Sequence, residues 1–264
     1  MRKLPVFLHI PKNAGTYINN RAFTIMQETA AEGQNCYHID VLKEGRIAYR
    51  LLCTSNEELD NDYIPLNKIC YSVNLEELRL DELNLFMLRI SDIGFKYYKK
   101  DIYPLLPKNV EPYEFLCLRE PYERAKSLYS YLKSIQSINE STHFKYGNKS
   151  FIELLNSSSL EGGWLIRSLL NIPNEVNIRQ WHFDRVCKIL NNMTVFNMDT
   201  ITPSLNKIFK VCYGINTSNI NRKVYDNKTI DKVDTPFDSL DEKTKKVFLN
   251  QVYWDYKIYN KYTK

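Results

Sequence analysis

Nowhere in this 264-residue chain does an apolar run approach the roughly 18 residues that a membrane span needs. Its first residues, Met-Arg-Lys-Leu-Pro, lead straight into a strand pattern rather than a signal peptide, so a soluble, cytoplasmic protein is expected. Paired cysteines are missing too. Cys36, Cys53, Cys70, Cys117, Cys187 and Cys212 are scattered, without C-x-x-C spacing or neighbouring histidines, which speaks against a metal site or a disulfide framework. Histidine is scarce, at four residues, so candidates for a general base are few. Charge of one sign is lacking as well. The 36 basic and 31 acidic residues leave a formal charge of +5, which admits an anionic ligand without calling for nucleic acid or a membrane surface. Repeats, low-complexity tracts and linkers are absent, and 44% hydrophobic content suffices for one core, so residues 1–264 read as one domain.

What is present begins at residue 6. Val6, Phe7, Leu8 and Ile10 form an apolar run of buried-strand length that Pro11 ends. Lys12, Asn13, Ala14, Gly15 and Thr16 follow as a short turn, and Ile18, Ala22, Ile25 and Met26 then recur at helical spacing. Strand, Gly-bearing turn and helix make a phosphate cradle: Gly15 permits close approach, and the amides opening the helix hold an anion without a metal. A second strand, turn and helix spans residues 113 to 131, with Arg119 at the strand exit and Ser127 two turns into the helix. Open α/β sheets bind ligands at such strand exits.

Elsewhere, short strands are expected near 47–53 and 84–90, and helices near 74–83 and 92–100, with no fixed topology between 36 and 110. Beyond 111 the spacing predicts a strand at 113–118 and a helix from Pro121 to about Ser137. Further helices are predicted near 150–156, 160–170 and 174–190, then a strand at 194–198 and helices near 202–212 and 240–260. Strands alternating with helices imply an α/β fold with a mainly parallel sheet covered on both faces.

A Walker A loop requires Lys directly after its last Gly and then Ser or Thr for magnesium; here Lys12 precedes Gly15, so that nucleotide-hydrolysing reading loses its metal ligand. The order Pro-Lys-x-Ala-Gly-Thr instead resembles the 5′-phosphosulfate loop of sulfotransferases that use 3′-phosphoadenosine 5′-phosphosulfate (PAPS). The run from Arg119 to Ser127 looks like that family's 3′-phosphate element. The likeness is to the group containing the heparan sulfate 2-O-sulfotransferases and the chondroitin and HNK-1 carbohydrate sulfotransferases. It implies a P-loop-like sulfotransferase fold and transfer of a sulfuryl group from PAPS to a hydroxyl acceptor, such as a carbohydrate. The product would be 3′-phosphoadenosine 5′-phosphate (PAP), and no metal would be needed. Weaker similarity places Arg167 near the nucleotide and Arg222 and Lys223 in a basic loop over the 3′-phosphate; each also reads as an ordinary surface charge.

Sulfuryl transfer through a loose transition state depends on positioning and on stabilising charge at the leaving phosphate. Under this resemblance Lys12 reaches the bridging oxygen and the Gly15 and Thr16 amides, with the Thr16 hydroxyl, hold the 5′-phosphate. Arg119 grips the 3′-phosphate as a bidentate fork and Ser127 adds a hydroxyl bond. Arg124 and Lys126 read as solvated or structural, Trp164 as core, and Tyr122, Tyr129 and Tyr131 as packing aromatics.

Two positions depart from the family: Asn13 stands where a hydroxyl residue is common, and Tyr17 where Ser or Thr is usual. Residues 86–95, where the family's histidine base would be sought, hold none. His38 is the histidine candidate, beside the carboxylates Glu28, Glu32, Asp40 and Asp92, while His9 reads as structural. Two rivals remain open. One is a nucleotide-dependent phosphotransferase; the other is a PAP- or glycan-binding protein of the same fold without turnover. With no anchor in the chain, a bacterial or viral source is expected, and its richness in Asn, Lys, Ile and Tyr suits an AT-rich genome.

Overall fold

The computed structural model describes residues 2–29, 36–41, 47–52, 71–73, 85–91, 95–138, 149–157, 162–215, 217 and 233–264. Strand β1 (Arg2–His9) runs into helix α1 (Gly15–Thr29), and β2 (Cys36–Val41), β3 (Ile47–Leu52), β4 (Tyr71–Val73) and β5 (Leu85–Ser91) follow. A short α2 (Phe95–Tyr97) continues in irregular helical turns to Leu105. Next come β6 (Val110–Leu118), α3 (Pro121–Ile138), α4 (Phe151–Leu155), α5 (Trp164–Leu170) and α6 (Gln180–Leu190). The chain ends in β7 (Thr194–Asn197), α7 (Ile201–Tyr213), α8 (Glu242–Gln251) and α9 (Tyr253–Thr263).

The strands form one sheet in the order β4-β3-β2-β5-β1-β6-β7. From β2 to β7 every pairing is parallel, while β3 lies antiparallel to both β2 and β4 at one end. An α/β fold with a mainly parallel sheet is therefore present, with an antiparallel edge that the sequence did not announce. Burial explains β1, whose residues read apolar without alternation because both faces are covered. Leu4, Val6, Leu8 and Ile10 enter a core completed by Leu165 of α5, Val186 of α6 and Ile258 of α9. Phe7 points the other way, to Ile18, Ala22 and Ile25 of α1 and to Phe209 of α7. Its ring stacks on Phe115 of β6 at 5.3 Å, and Phe115 stacks on Phe196 of β7 at 6.2 Å. A third cluster, with Tyr122, Phe151 and Phe248, joins α3, α4 and α8. Burying each such side chain contributes about 1.5–3 kcal/mol.

The predicted helices at 174–190 and 240–260 are shorter or divided. Pro173 and Val176 turn their carbonyls to Arg167, so the chain stays irregular until α6 begins at Gln180. The last helix breaks at Val252, and the break lets Phe248 fill the third cluster while Ile258 fills the first. The predicted helix at 74–83 lies outside the described residues. Three of the cysteines, Cys117, Cys187 and Cys212, are buried free thiols, and burial pushes Cys117 up to about 12. No helix among the described residues is long and apolar enough to cross a membrane.

Topology singles out one place for a ligand. From β1 the chain moves to one flank, where β2 and then β5 are laid down, and only afterwards to the other flank, where β6 and β7 lie. In open α/β sheets a crevice is expected at the carboxyl ends of the neighbouring strands where the winding reverses, here β1 and β6.

Candidate functional site

Both sequence motifs lie there, one leaving the carboxyl end of β1 and the other that of β6. The loop leaving β1 is tightly wound: the Asn13 amide donates back to the Ile10 carbonyl at 3.2 Å, and the Ile18 amide donates to Ala14 at 3.0 Å. Lys12 at φ 67° and Ala14 at φ 60° both occupy the left-handed region, each at a cost of about 1–2 kcal/mol for a residue bearing a Cβ. Strain of this kind gathers where backbone amides are made to converge. The first turn of α1 contains no acidic residue, so its amides meet no carboxylate of their own turn.

Gly15 is required for a reason internal to the protein. A Cβ there would fall 2.0 Å from Nε2 of His9, whose ring closes the space beside the loop. His9 in turn bonds through Nδ1 to the Arg89 guanidinium of β5 at 3.0 Å. The close approach expected at Gly15 is made by that imidazole, and Arg89 brings a cation to the strand beside β1 that sequence reasoning passed over. The available signal was a single Arg within the apolar strand run of residues 85–91.

From the β6 side, Arg119 directs Nη1 to the Lys12 carbonyl across a long 3.5 Å contact, and Arg124 donates from Nε to the Pro11 carbonyl at 3.3 Å. The Lys12 turn and the Arg119 strand exit therefore abut. The Lys12 ammonium stands 4.0 Å from the centre of the Tyr131 ring. Tyr131 lies four residues beyond Ser127 on α3, so the two share one face of that helix. Burial, then the charges of Arg119 and Arg124, hold Lys12 below the ordinary lysine range. Burial also draws Arg119 down, against the opposing pull of Glu123, Cys117 and Glu120. Two partly buried cations side by side are disfavoured unless an anion joins them.

Other expected residues are placed elsewhere or used differently. Asn13 is buried, and among the described residues its side-chain oxygen has no hydrogen-bond partner. Thr16 is exposed in the first turn of α1, whereas the Tyr17 hydroxyl meets Thr202 of α7 at 2.8 Å. Arg167 spends its guanidinium on the Gly162, Pro173 and Val176 carbonyls and so fastens its own loop. His38 pairs with Met87, and the neighbouring register sets Leu88 against Val6, so His38 is level with Pro5. It lies two strands from β1 and four residues below His9, about 13 Å along the strand, and is not brought to the loop. Asp40 comes nearer the carboxyl edge, level with Arg89. Glu28 falls in the last turn of α1, about 20 Å from its amino end. Arg222, Lys223, Glu32 and Asp92 lie outside the described residues.

Among the described residues no group of three or more His, Cys, Asp or Glu side chains could hold a metal ion. The amino end of α1, Lys12 and Arg119, brought to the point where the sheet changes winding direction, have the chemistry that suits an anion. Set against protein-family models, curated proteins and solved structures, the chain matches none of them.

Proposed function

We propose that this crevice binds a nucleotide phosphorylated at both its 5′ and 3′ positions, and that the chain is a PAPS-dependent sulfotransferase of P-loop-like fold. The supporting observation is the junction of Arg119 with the Lys12 turn, since one adenosine bisphosphate needs both strand exits at once. In this reading the α1 amides and Lys12 hold the 5′-phosphosulfate, and Arg119 with Ser127 holds the 3′-phosphate. A hydroxyl oxygen, as on a carbohydrate, forms a bond to sulfur while the sulfur–oxygen bond to the 5′-phosphate breaks. PAP leaves with the electron pair. Lys12 opposes the charge growing on the bridging oxygen, and a base must take the hydroxyl proton.

The placement of His38 favours one second reading, a PAP-binding protein of the same architecture without turnover. Calorimetric titration with PAP, and with ATP plus magnesium, tests the binding claim in wild type, Lys12→Ala and Arg119→Ala. PAP should bind more tightly than ATP, and each substitution should weaken PAP at least tenfold, the value of one charge-assisted hydrogen bond. Equal affinity for ATP, or unchanged PAP affinity in both variants, would overturn it. Transfer from labelled PAPS to glycan acceptors then separates enzyme from binding protein.

A further inference from the structure

Arg124 is the third cation beside the loop, and its contacts differ from those of the other two. Its Nε grips the Pro11 carbonyl, and its guanidinium lies over the Trp164 ring, with Cζ 4.8 Å from the ring centre. Trp164 opens α5, and the residue before it, Gly163, donates its amide to Oδ2 of Asp255 at 2.6 Å. Asp255 belongs to α9, at the far end of the sequence, and also accepts from the Leu165 amide. A Cβ added at Gly163 would fall 2.0 Å from Cδ1 of Ile178 and 4.0 Å from Cβ of Trp254, the residue before Asp255. One connected path therefore runs from the β1–α1 loop through Arg124 to α5 and α9.

We infer that Arg124 is a positioning residue that fixes the strained loop, and that Asp255, by holding the Gly163 amide, fixes the Trp164 ring on which Arg124 rests. The peptide group gives the reason. In a trans peptide the carbonyl and the following N–H point in opposite directions, so a guanidinium held on the Pro11 carbonyl turns the Lys12 amide to the other side. Arg119 takes the next carbonyl, that of Lys12, while the Asn13 amide turns back to Ile10. Gripping two successive carbonyls from the β6 side holds Lys12 in its left-handed conformation, which the free chain disfavours. The charges of Arg124 of α3 and Arg167 of α5, with the Gly163 and Leu165 amides, favour the ionised form of Asp255. Burial nevertheless keeps its carboxyl above the ordinary carboxylate range, so the clasp loosens at a higher pH than an exposed aspartate would lose its charge.

The inference rests on the proposed anion site only for its ligand arm, and the loop itself can be read without any ligand. Amide hydrogen exchange should be followed for residues 12–18 and, as an internal reference, for β6, in wild type, Arg124→Gln, Arg124→Lys and Asp255→Asn. Arg124→Gln should speed exchange in the loop tenfold or more with β6 unchanged, and Arg124→Lys should not restore it because an ammonium lacks the fork. Asp255→Asn should speed the same amides although it touches no loop atom. Lowering the pH should give wild type a loss of loop protection, after correction for intrinsic exchange, that Asp255→Asn does not show. This last comparison stands even if both Arg124 variants fail to fold. Unchanged loop exchange in Arg124→Gln, or an identical pH profile in wild type and Asp255→Asn, would overturn the inference. With PAP as probe, Arg124→Gln should bind at least tenfold more weakly than wild type. Absence of PAP binding in wild type would sink the proposed function while leaving the exchange result to decide the brace.

Discussion

The exits of β1 and β6 stand side by side, and each opens a helix, yet they deal with helix-end charge in opposite ways. At β6, Pro121 begins α3 without strain, and the Glu120 carboxylate accepts the Glu123 amide at 2.8 Å while taking the Tyr256 hydroxyl on its other oxygen. The amino end of α3 is thus occupied by an anion of the protein itself. At β1, two non-glycine residues are forced to positive φ and the first turn of α1 has no acid. What differs is where the positive potential comes from: backbone amides and the helix dipole at β1, side chains at β6. A ligand bridging the two exits would meet amides at one phosphate and a guanidinium fork at the other.

The strongest perturbation is expected at Gly15. In Gly15→Ala the new methyl would displace the His9 ring, breaking its bond to Arg89, at a cost of about 1–3 kcal/mol in denaturant unfolding. A variant as stable as wild type would mean that the imidazole does not close the space beside the loop. Next comes the occupied helix end. Removing the carboxylate in Glu120→Ala takes away the cap of α3 and the partner of Tyr256, about 2 kcal/mol together, and should shift the urea midpoint without changing its slope.

Much of this contrast was legible in the sequence. Val6 to Ile10 read as a two-sided buried strand, Pro121 as a helix start, and Ile18, Ala22 and Ile25 as a core-facing stripe, because each signal is local and periodic. The antiparallel edge was not legible, since Cys36–Val41 carries His38 and Asp40 within it and Tyr71–Val73 is three residues long. His38 illustrates a deeper limit: a residue type can be picked from sequence, but its height on the sheet depends on a register that only pairing with β5 sets. Arg89 escaped for the same reason, and Arg124 could be read only as solvated or structural, without its partners. Their neighbours, His9, Pro11, Trp164 and Asp255, come from distant parts of the chain.

Lys12 offers a test that separates strain from binding. Its folded pKa is lowered, so between that value and the unfolded value near 10.4 the unfolded chain binds more protons, and stability rises with pH across that window. At neutral pH the ammonium is present and disfavoured by burial and by Arg119 and Arg124. Lys12→Met should therefore melt higher than wild type at pH 7, and the two curves should converge as pH rises from the lowered pKa to the unfolded value near 10.4. PAP affinity should fall at least tenfold in the same variant. A lower melting temperature at pH 7 would show that the ammonium is already compensated by the protein, and the case for a missing anion would weaken.

The smallest expected change in stability carries the sharpest reading of the two exits. Thr16 is exposed in the first turn of α1, where β6's counterpart helix already has Glu123. Thr16→Glu would give α1 an anion of its own, raising stability by about 0.3–1 kcal/mol through the helix dipole, less as salt is added. The same carboxylate would compete for the amides that receive the 5′-phosphate, so PAP binding should be lost even as the protein becomes more stable. Stability and affinity moving in opposite directions is the outcome that a surface threonine with no ligand nearby would not produce. If PAP binds Thr16→Glu as it binds wild type, the amino end of α1 is not where the phosphate sits, and the likeness between the two strand exits would count for more than their difference.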